Sequence, residues 1–453
     1  MADIDNAGKV ETWKARGLDF FRYFGDAFCY AFLPSYMIST FGGDTSDLFG
    51  ALKTGALLAS IPLMAVIGNL IFGRLATNEK HNLFLLKIMM PIEVSFLVTV
   101  GFWGDNFAGV LVFSIIANLF NSAVYSFLDS IAGDIAAAEH ANFASIRVAA
   151  SISYMLSTLA SAFLLAGFTG AGLSTTESYK WLFVCSLPSY VATYVIIYLV
   201  KPYDIDQYRE ETKDAQKADK EDISVSDTRL STLFHNRNFM TFLAFIALYI
   251  SMVFVGDNVL SSFWMPQGEE YRPDTTGFAS SFYPFSAANL SMAYVVMMVA
   301  EITASFLYGS HANVHTYKAI FIFGAIASIL RLFGTGLLIY FDVDQMYAYF
   351  LVSILRGFIW GACIAAEVPL IENIIGIKLK TKAIFLINMT FQGVTAMNQF
   401  AVPLLELDDV GLSYSGTFFL FGGVATIALI LLLFVKVDKS KTGKTLRLDK
   451  NIA

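Results

Sequence analysis

The sequence predicts an all-α membrane protein with twelve transmembrane helices in two six-helix halves and both termini cytoplasmic. Three observations predict it. Apolar residues make up 56% of the 453 and charged residues only 15%, against about 25% charged in an ordinary soluble domain. The apolar residues gather in long runs, and a helix needs about 20 residues to cross about 30 Å of hydrocarbon. Lys and Arg fall almost wholly into alternate connections. Phe alone counts 42, more than the 30 Lys and Arg together, and mean hydropathy is +0.60. A soluble enzyme, a nucleic-acid binder and a disordered chain are all excluded by such a composition.

Residues 1–14 are polar, with no short apolar region before a cleavage site, so no signal peptide is expected and the first span stays attached. Spans are then expected at 17–42, 48–73, 83–103, 107–132, 143–168 and 180–200. Six more follow at 239–264, 286–308, 318–341, 346–374, 382–405 and 414–436. Each must be a helix, because backbone groups in lipid bond within their own segment. The runs do not alternate as the strands of a barrel would. The stretch 201–238 is rich in Lys, Glu, Asp and Gln and reads as a solvated linker. It separates a half at 1–200 from a half at 239–453 that ends in a polar tail. Span two ends Phe72-Gly73-Arg74-Leu75-Ala76 and span eight ends Tyr308-Gly309-Ser310-His311-Ala312, at matching points. Two similar halves around a central cavity are the expectation.

The basic residues orient the chain. Three precede the first span, two follow the second, seven lie in the linker, one follows span eight, three follow span ten and six lie in the tail. These 22 share one face, whereas the opposite loops hold only Lys180 and Arg272. The bias puts both termini in the cytoplasm, in the cytoplasmic (inner) membrane, with an even number of spans.

Six basic residues remain inside or near spans: Arg22, Lys53, Lys87, Arg147, Arg331 and Arg356. The acids there are Asp26, Glu93, Asp129, Asp134, Asp257, Glu301, Glu367 and Glu372. A charge at the bilayer centre costs at least about 2.5–3.5 kcal/mol. Lys53 and Lys87 lie near span ends and can snorkel; Asp134 and Glu372 are similarly placed. Arg147, Glu301, Arg331 and Arg356 lie deeper and call for a wet cavity or mutual pairing. Asp129 closes span four and Arg147 opens span five, so neighbouring antiparallel helices can bring an acid and a guanidinium to one depth. That pair suits polyhydroxy ligands and carboxylates alike. Tyr154 follows Arg147 by seven residues, two turns along the same face; it also fits an ordinary apolar face.

These residues carry a resemblance to the major facilitator superfamily and, within it, to the lactose-permease-like oligosaccharide:proton symporters. The most specific piece runs from Asp129 through Arg147, eighteen residues on, to Tyr154. In that family the matching acid and Arg hold the sugar and an aromatic stacks on it. Glu301-Ile302-Thr303-Ala304-Ser305 is similar to the span-eight segment whose Glu binds sugar and couples it to the proton. Ser328-Ile329-Leu330-Arg331-Leu332 matches the span-nine Arg beside the proton site. There are departures. Ala304 replaces an Asn, Arg356 and Ile359 stand at the family's His and proton-carrying Glu, and Gln392 stands where the family has a Lys. The nearest acid to Ile359 is Glu367. The loop motif after span two is reduced to Gly68…Gly73-Arg74. Gly25-Asp26 in the first span is also similar to melibiose-type cation:sugar symporters.

The resemblance implies a secondary transporter that takes up a sugar with a proton by alternating access. Asp129, Arg147, Tyr154 and Glu301 would bind substrate. Glu301, Arg331, Arg356, Glu367 and Asp26 would serve proton coupling. Sodium coupling, or a nucleoside or aromatic acid as cargo, are the alternatives. Neither enzyme nor sensor is expected. All five His lie in loops without metal spacing, the three Cys (Cys29, Cys185, Cys363) form no ligand or disulfide framework, and neither tail suffices for a signalling domain. No cofactor and no nucleic-acid partner are expected, only a small-molecule substrate and the bilayer, for a monomer.

Overall fold

Backbone amides in an apolar medium have to bond within their own segment, and the described residues meet this with helices. The computed structural model describes residues 2–41, 48–75, 79–138, 143–200, 231–270, 277–311, 315–375, 380–407 and 411–438. Among them are fifteen α-helices, one 3₁₀ turn at Ala279–Ser281 and no strand. In chain order the helices are α1 (Ala2–Cys29), α2 (Leu33–Phe41), α3 (Leu48–Leu75), α4 (Glu79–Val100) and α5 (Phe107–Ala138). Next come α6 (Phe143–Gly170), α7 (Thr175–Cys185), α8 (Leu187–Leu199), α9 (Ser231–His235) and α10 (Arg237–Glu270). The last are α11 (Ala287–His311), α12 (Tyr317–Tyr340), α13 (Met346–Ile375), α14 (Lys380–Leu405) and α15 (Ser413–Phe434).

Ten segments among the described residues are long and apolar enough to cross a membrane. Ten of the expected spans overlap them. The expected first span is instead two helices, α1 and α2, and the cause is Pro34. Proline has no N–H to give the preceding turn and its ring clashes there, so it is best tolerated in the first turn of a helix, where Pro34 stands in α2. The chain therefore stops at Cys29 and restarts at Leu33. Pro188 acts the same way between α7 and α8, where Ser186 separates the two helices. There Ser174 and Glu177 form a capping box that starts α7, five residues ahead of the expected span. The expected eleventh span is helix α14. It carries Asn388, Gln392, Asn398 and Gln399 and is not among the ten apolar segments.

The chain divides into two compact units, one of Met1–Ser226 with Ser261–Val295, the other of Asp227–Leu260 with Val296–Ala453. In the first, α1 packs on α6 and α8, and α5 packs on α3 and α4. Lipid tails give helices no hydrophobic reason to associate, so small residues and hydroxyls do the joining. Ser153 and Ser157 of α6 donate to the carbonyls of Phe20 and Phe24, the second at 2.6 Å. Ser189 of α8 donates to Phe21 O at 2.6 Å. Gly68 of α3 lies so close to α5 that an added Cβ would stand 2.1 Å from Leu119 O, and Asn69 beside it donates to Ser122 Oγ at 2.6 Å.

The second unit has an aromatic core, with Phe242, Phe245 and Tyr249 of α10 around Phe321 of α12. Gly357 and Gly361 of α13 face Ala300 and Ala304 of α11. An added Cβ at Gly357 would stand 2.3 Å from Glu301 N, so the two backbones are nearly in contact at the level of two charged side chains, Glu301 and Arg356.

Candidate functional site

Among the described residues each unit buries a cluster of charged side chains. In the second unit, α10 supplies Asp257, α11 Glu301, α12 Arg331 and α13 Arg356. Asp257 accepts from both guanidiniums: Arg331 Nη2 bonds Oδ1 and Arg356 Nε bonds Oδ2 at 2.8 Å. Arg356 Nη1 also stands 3.6 Å from Glu301 Oε2. Arg331 and Arg356 are buried, at 4% and 8% exposure. The contact of Gly357 with the Ala300–Glu301 backbone allows α11 and α13 to approach closely enough for the Arg356–Glu301 pair. Two carboxylates meet two guanidiniums, so the formal charge balances. Side chains on four helices converge here from positions up to 99 residues apart.

The cluster of the first unit is built differently. Arg22 and Asp26 sit one turn apart on α1, with Nε 2.8 Å from Oδ2. Arg22 also grips Glu93 of α4 with both terminal nitrogens, at 2.6 and 3.1 Å, the bidentate arrangement that suits a planar fork. Its guanidinium lies over the rings of Tyr125 and Tyr190, 5.0 and 5.3 Å from their centroids, within cation–π range. Both tyrosines donate their hydroxyls to Asp26, Tyr190 at 2.8 Å. Tyr30 and Asn121 donate to Glu93, each at 2.9 Å. Arg22, Asp26 and Glu93 are at most 1% exposed. Two carboxylates face one guanidinium, and four neutral donors spread the surplus negative charge.

Of the residues expected at the site, Glu301, Arg331 and Arg356 are thus brought together, and Asp26 belongs to the other cluster. Glu367 lies outside both, half-buried on α13, about three turns beyond Arg356 at 3.6 residues per turn. Asp129 is half-buried on α5 and Tyr154 half-buried on α6. Arg147 lies in the second turn of α6, and its side chain is outside those described, as are those of Asp134 and Glu372. Sequence reasoning marked Arg22, Glu93 and Asp257 as intramembrane charges but gave them no role. It missed Tyr30, Asn121, Tyr125 and Tyr190. The Arg22–Asp26 spacing of four, one helix face, was the available signal. Among the described residues no group of His, Cys, Asp and Glu is arranged to hold a metal.

The comparisons with known proteins agree with this architecture. A family model described as Major Facilitator Superfamily matches residues 18–398, and the chain belongs to that family. No curated protein matches it by sequence. Among solved structures, that of the nucleoside transporter NupG is similar with a TM-score of 0.64 at 14% identity, over 94% of this chain and 98% of that one. The inward-open xylose transporter XylE from E. coli is similar with a TM-score of 0.67 at 13% identity, over 96% and 98%. A POT family transporter in complex with a thioalcohol-conjugated peptide has a TM-score of 0.61 at 13% identity, over 93% and 95%. At such identities the likeness is one of fold. The chain is a multi-pass membrane transporter and not an enzyme.

Proposed function

We propose, on the premise that the chain is a member of the major facilitator superfamily, that it is a proton-coupled symporter. On this reading it takes up a sugar or sugar-bearing solute across the cytoplasmic membrane by alternating access, in the manner of the lactose-permease-like symporters it resembles. The observation that carries the reading is the four-helix cluster of Asp257, Glu301, Arg331 and Arg356. A charge-balanced group buried in membrane-spanning helices is costly and has a use where one member changes charge during the cycle. Glu301 is the carboxyl suited to that change. Its approach to Arg356, at 3.6 Å, is the loosest in the cluster, whereas Asp257 is held by two guanidiniums. A proton on Glu301 would free the Arg356 guanidinium from its weaker partner.

A proton suits these sites better than sodium does. Sodium needs converging oxygen lone pairs. Asp26 and Glu93 already accept from Arg22, Asn121 and three tyrosine hydroxyls, and neither a guanidinium nor an amide nitrogen coordinates a cation. Asp26 is the proton-coupling candidate of the first unit and Glu367 a further one in the second. Asp129, Arg147 and Tyr154 are the substrate-binding candidates of the first unit and Glu301 that of the second. The fold-level likeness to a nucleoside and a xylose transporter supports a test panel containing both classes.

The experiment is uptake of labelled sugars and nucleosides by transport-deficient cells expressing the protein, with and without a protonophore. Collapse of uptake with the proton gradient, and its loss in Glu301→Gln, are expected. Uptake indifferent to the gradient overturns proton coupling. Unchanged substrate affinity in both Asp129→Asn and Arg147→Ala overturns the substrate site.

A further inference from the structure

Each buried cluster leaves guanidinium nitrogens without a hydrogen bond, Arg22 Nε in the first and Arg331 Nη1 and Arg356 Nη1 in the second. Arg22 bonds Glu93 through Nη1 and Nη2; its Nε makes no hydrogen bond but faces Asp26 Oδ2 at 2.8 Å, as the unbonded Nη1 of Arg356 faces Glu301 Oε2 at 3.6 Å. Arg331 is almost as deeply buried as Arg22, at 4% exposure, but only its Nη2 reaches Asp257. Its Nη1 has no hydrogen-bond partner among the described residues. Buried donors in native proteins are nearly always satisfied, by protein, water or ligand. This nitrogen lies beside Gly256, where an added Cβ would stand 3.4 Å from it, so α10 presents bare backbone to it. Among the described residues, the one carboxylate paired with Arg331 is that of Asp257, which it shares with Arg356.

A buried guanidinium nitrogen without an acceptor suits an oxyanion, to which it makes a charge-assisted hydrogen bond. A hydroxyl would satisfy a single donor and leave the charge balance as it was. From this we infer that the Arg331 Nη1 position binds a carboxylate on the cargo, so that the transported solute is a small organic acid such as a sugar acid. Adding an anion to a balanced cluster leaves one negative charge in excess. A proton on Glu301 removes it. The charged and titratable groups around Glu301 are Arg356 and Cys363 of α13 and Asp257 of α10. Cargo and proton then enter as a neutral pair, and a monoanion fits the balance where a dianion does not. The one-to-one stoichiometry rests on the proton-coupled reading above; the preference for a carboxylate does not.

The test uses the purified full-length protein and matched ligands: D-glucuronate with D-glucose, benzoate with benzyl alcohol, and glucose 6-phosphate as the dianion. Affinities are read from ligand-induced shifts in thermal unfolding. At least tenfold tighter binding of the acid in one pair is expected, with glucose 6-phosphate no tighter than glucose. Arg331→Lys keeps the charge but loses Nη1, and should reduce the acid-to-neutral ratio at least tenfold. If that variant does not fold, the wild-type comparison stands, and Gly256→Ala, which sets a methyl beside Nη1, is expected to reduce the same ratio. No preference in either pair, tighter binding of the phosphate than of glucuronate, or a ratio unmoved in a folded Arg331→Lys overturns the inference. In proteoliposomes, uptake of the preferred acid should follow the pH gradient and ignore an imposed potassium–valinomycin potential. Acid-selective binding without a response to the pH gradient would uphold the carboxylate site and overturn only the coupling.

Discussion

A guanidinium on the first helix sets the energetics of the first unit. Arg22 is the only cation within reach of Asp26 and Glu93 among the described residues, and all three are shut away from solvent. Removing one partner of such a group strands the other charges in a low dielectric, at a cost of about 3–5 kcal/mol. Arg22→Met should therefore lower the thermal unfolding midpoint in detergent markedly. Arg22→Met combined with Glu93→Met should recover part of the loss, because the second change removes the stranded charge. A midpoint unchanged in the single variant would show that the cluster holds nothing together. Tyr190→Phe removes one hydroxyl donated to Asp26, and a hydrogen bond to a charged group is worth about 1.5–3 kcal/mol; a smaller fall in the midpoint is the expected reading. The depth of Glu301, Arg331 and Arg356 was legible in the sequence, since charges amid apolar runs stand out, whereas Arg22 and Asp26 were marked only as charges in or near a span. Which charge meets which was not legible, except at the four-residue spacing of Arg22 and Asp26. Arg22 meets Glu93 across 71 residues and Arg331 meets Asp257 across 74, and periodicity within a helix has no information about a partner on another.

At the scale of elements, prolines and glycines decide what the charges can do. Pro34 and Pro188 break two expected spans into helix pairs, and both breaks follow from the missing N–H, so their positions were readable from the sequence although the expected spans ran through them. The crossing of α11 and α13 was not readable. Gly357 and Gly361 are separated like any small-xxx-small pair, but their facing partners, Ala300 and Ala304, emerge only in three dimensions. That crossing brings the backbones together beside Glu301 and Arg356. Gly357→Val would drive a side chain into the Ala300–Glu301 backbone, where even a Cβ stands 2.3 Å from a nitrogen. Overpacking of this kind costs about 1–3 kcal/mol, and here it must also push Glu301 away from Arg356. The expected outcome is a lower unfolding midpoint together with weakened gradient-driven uptake. Gly423→Ala is the matched control, because a Cβ there meets nothing within 4 Å. Equal behaviour of the two variants would remove the crossing from the mechanism.

The orientation of the whole molecule turns on one polar helix. Ten segments among the described residues qualify as spans by length and apolarity; if the α1–α2 pair makes one further crossing, as the sequence predicts, α14 decides whether the total is even. Its Asn388, Gln392, Asn398 and Gln399 lower its hydropathy, but amides and hydroxyls on spanning helices can bond to neighbours, and Thr395 and Gln399 are buried at 1% and 5% exposure. The basic residues supply an independent argument. If α14 did not cross, the six Lys and Arg from Lys436 onward would face the side where the loops hold only Lys180 and Arg272, against the bias that sets topology. A crossing α14 puts them with the other basic loops. Cysteine labelling in intact cells with a membrane-impermeant maleimide separates the two cases on a background in which Cys29, Cys185 and Cys363 are replaced by Ser. Arg272→Cys should be labelled from outside. Lys217→Cys and Lys441→Cys should be labelled only after the membrane is permeabilised. Labelling of Lys441→Cys in intact cells would mean that α14 stays on one side, that the number of spans is odd, and that the charge bias has been overridden in the last quarter of the chain.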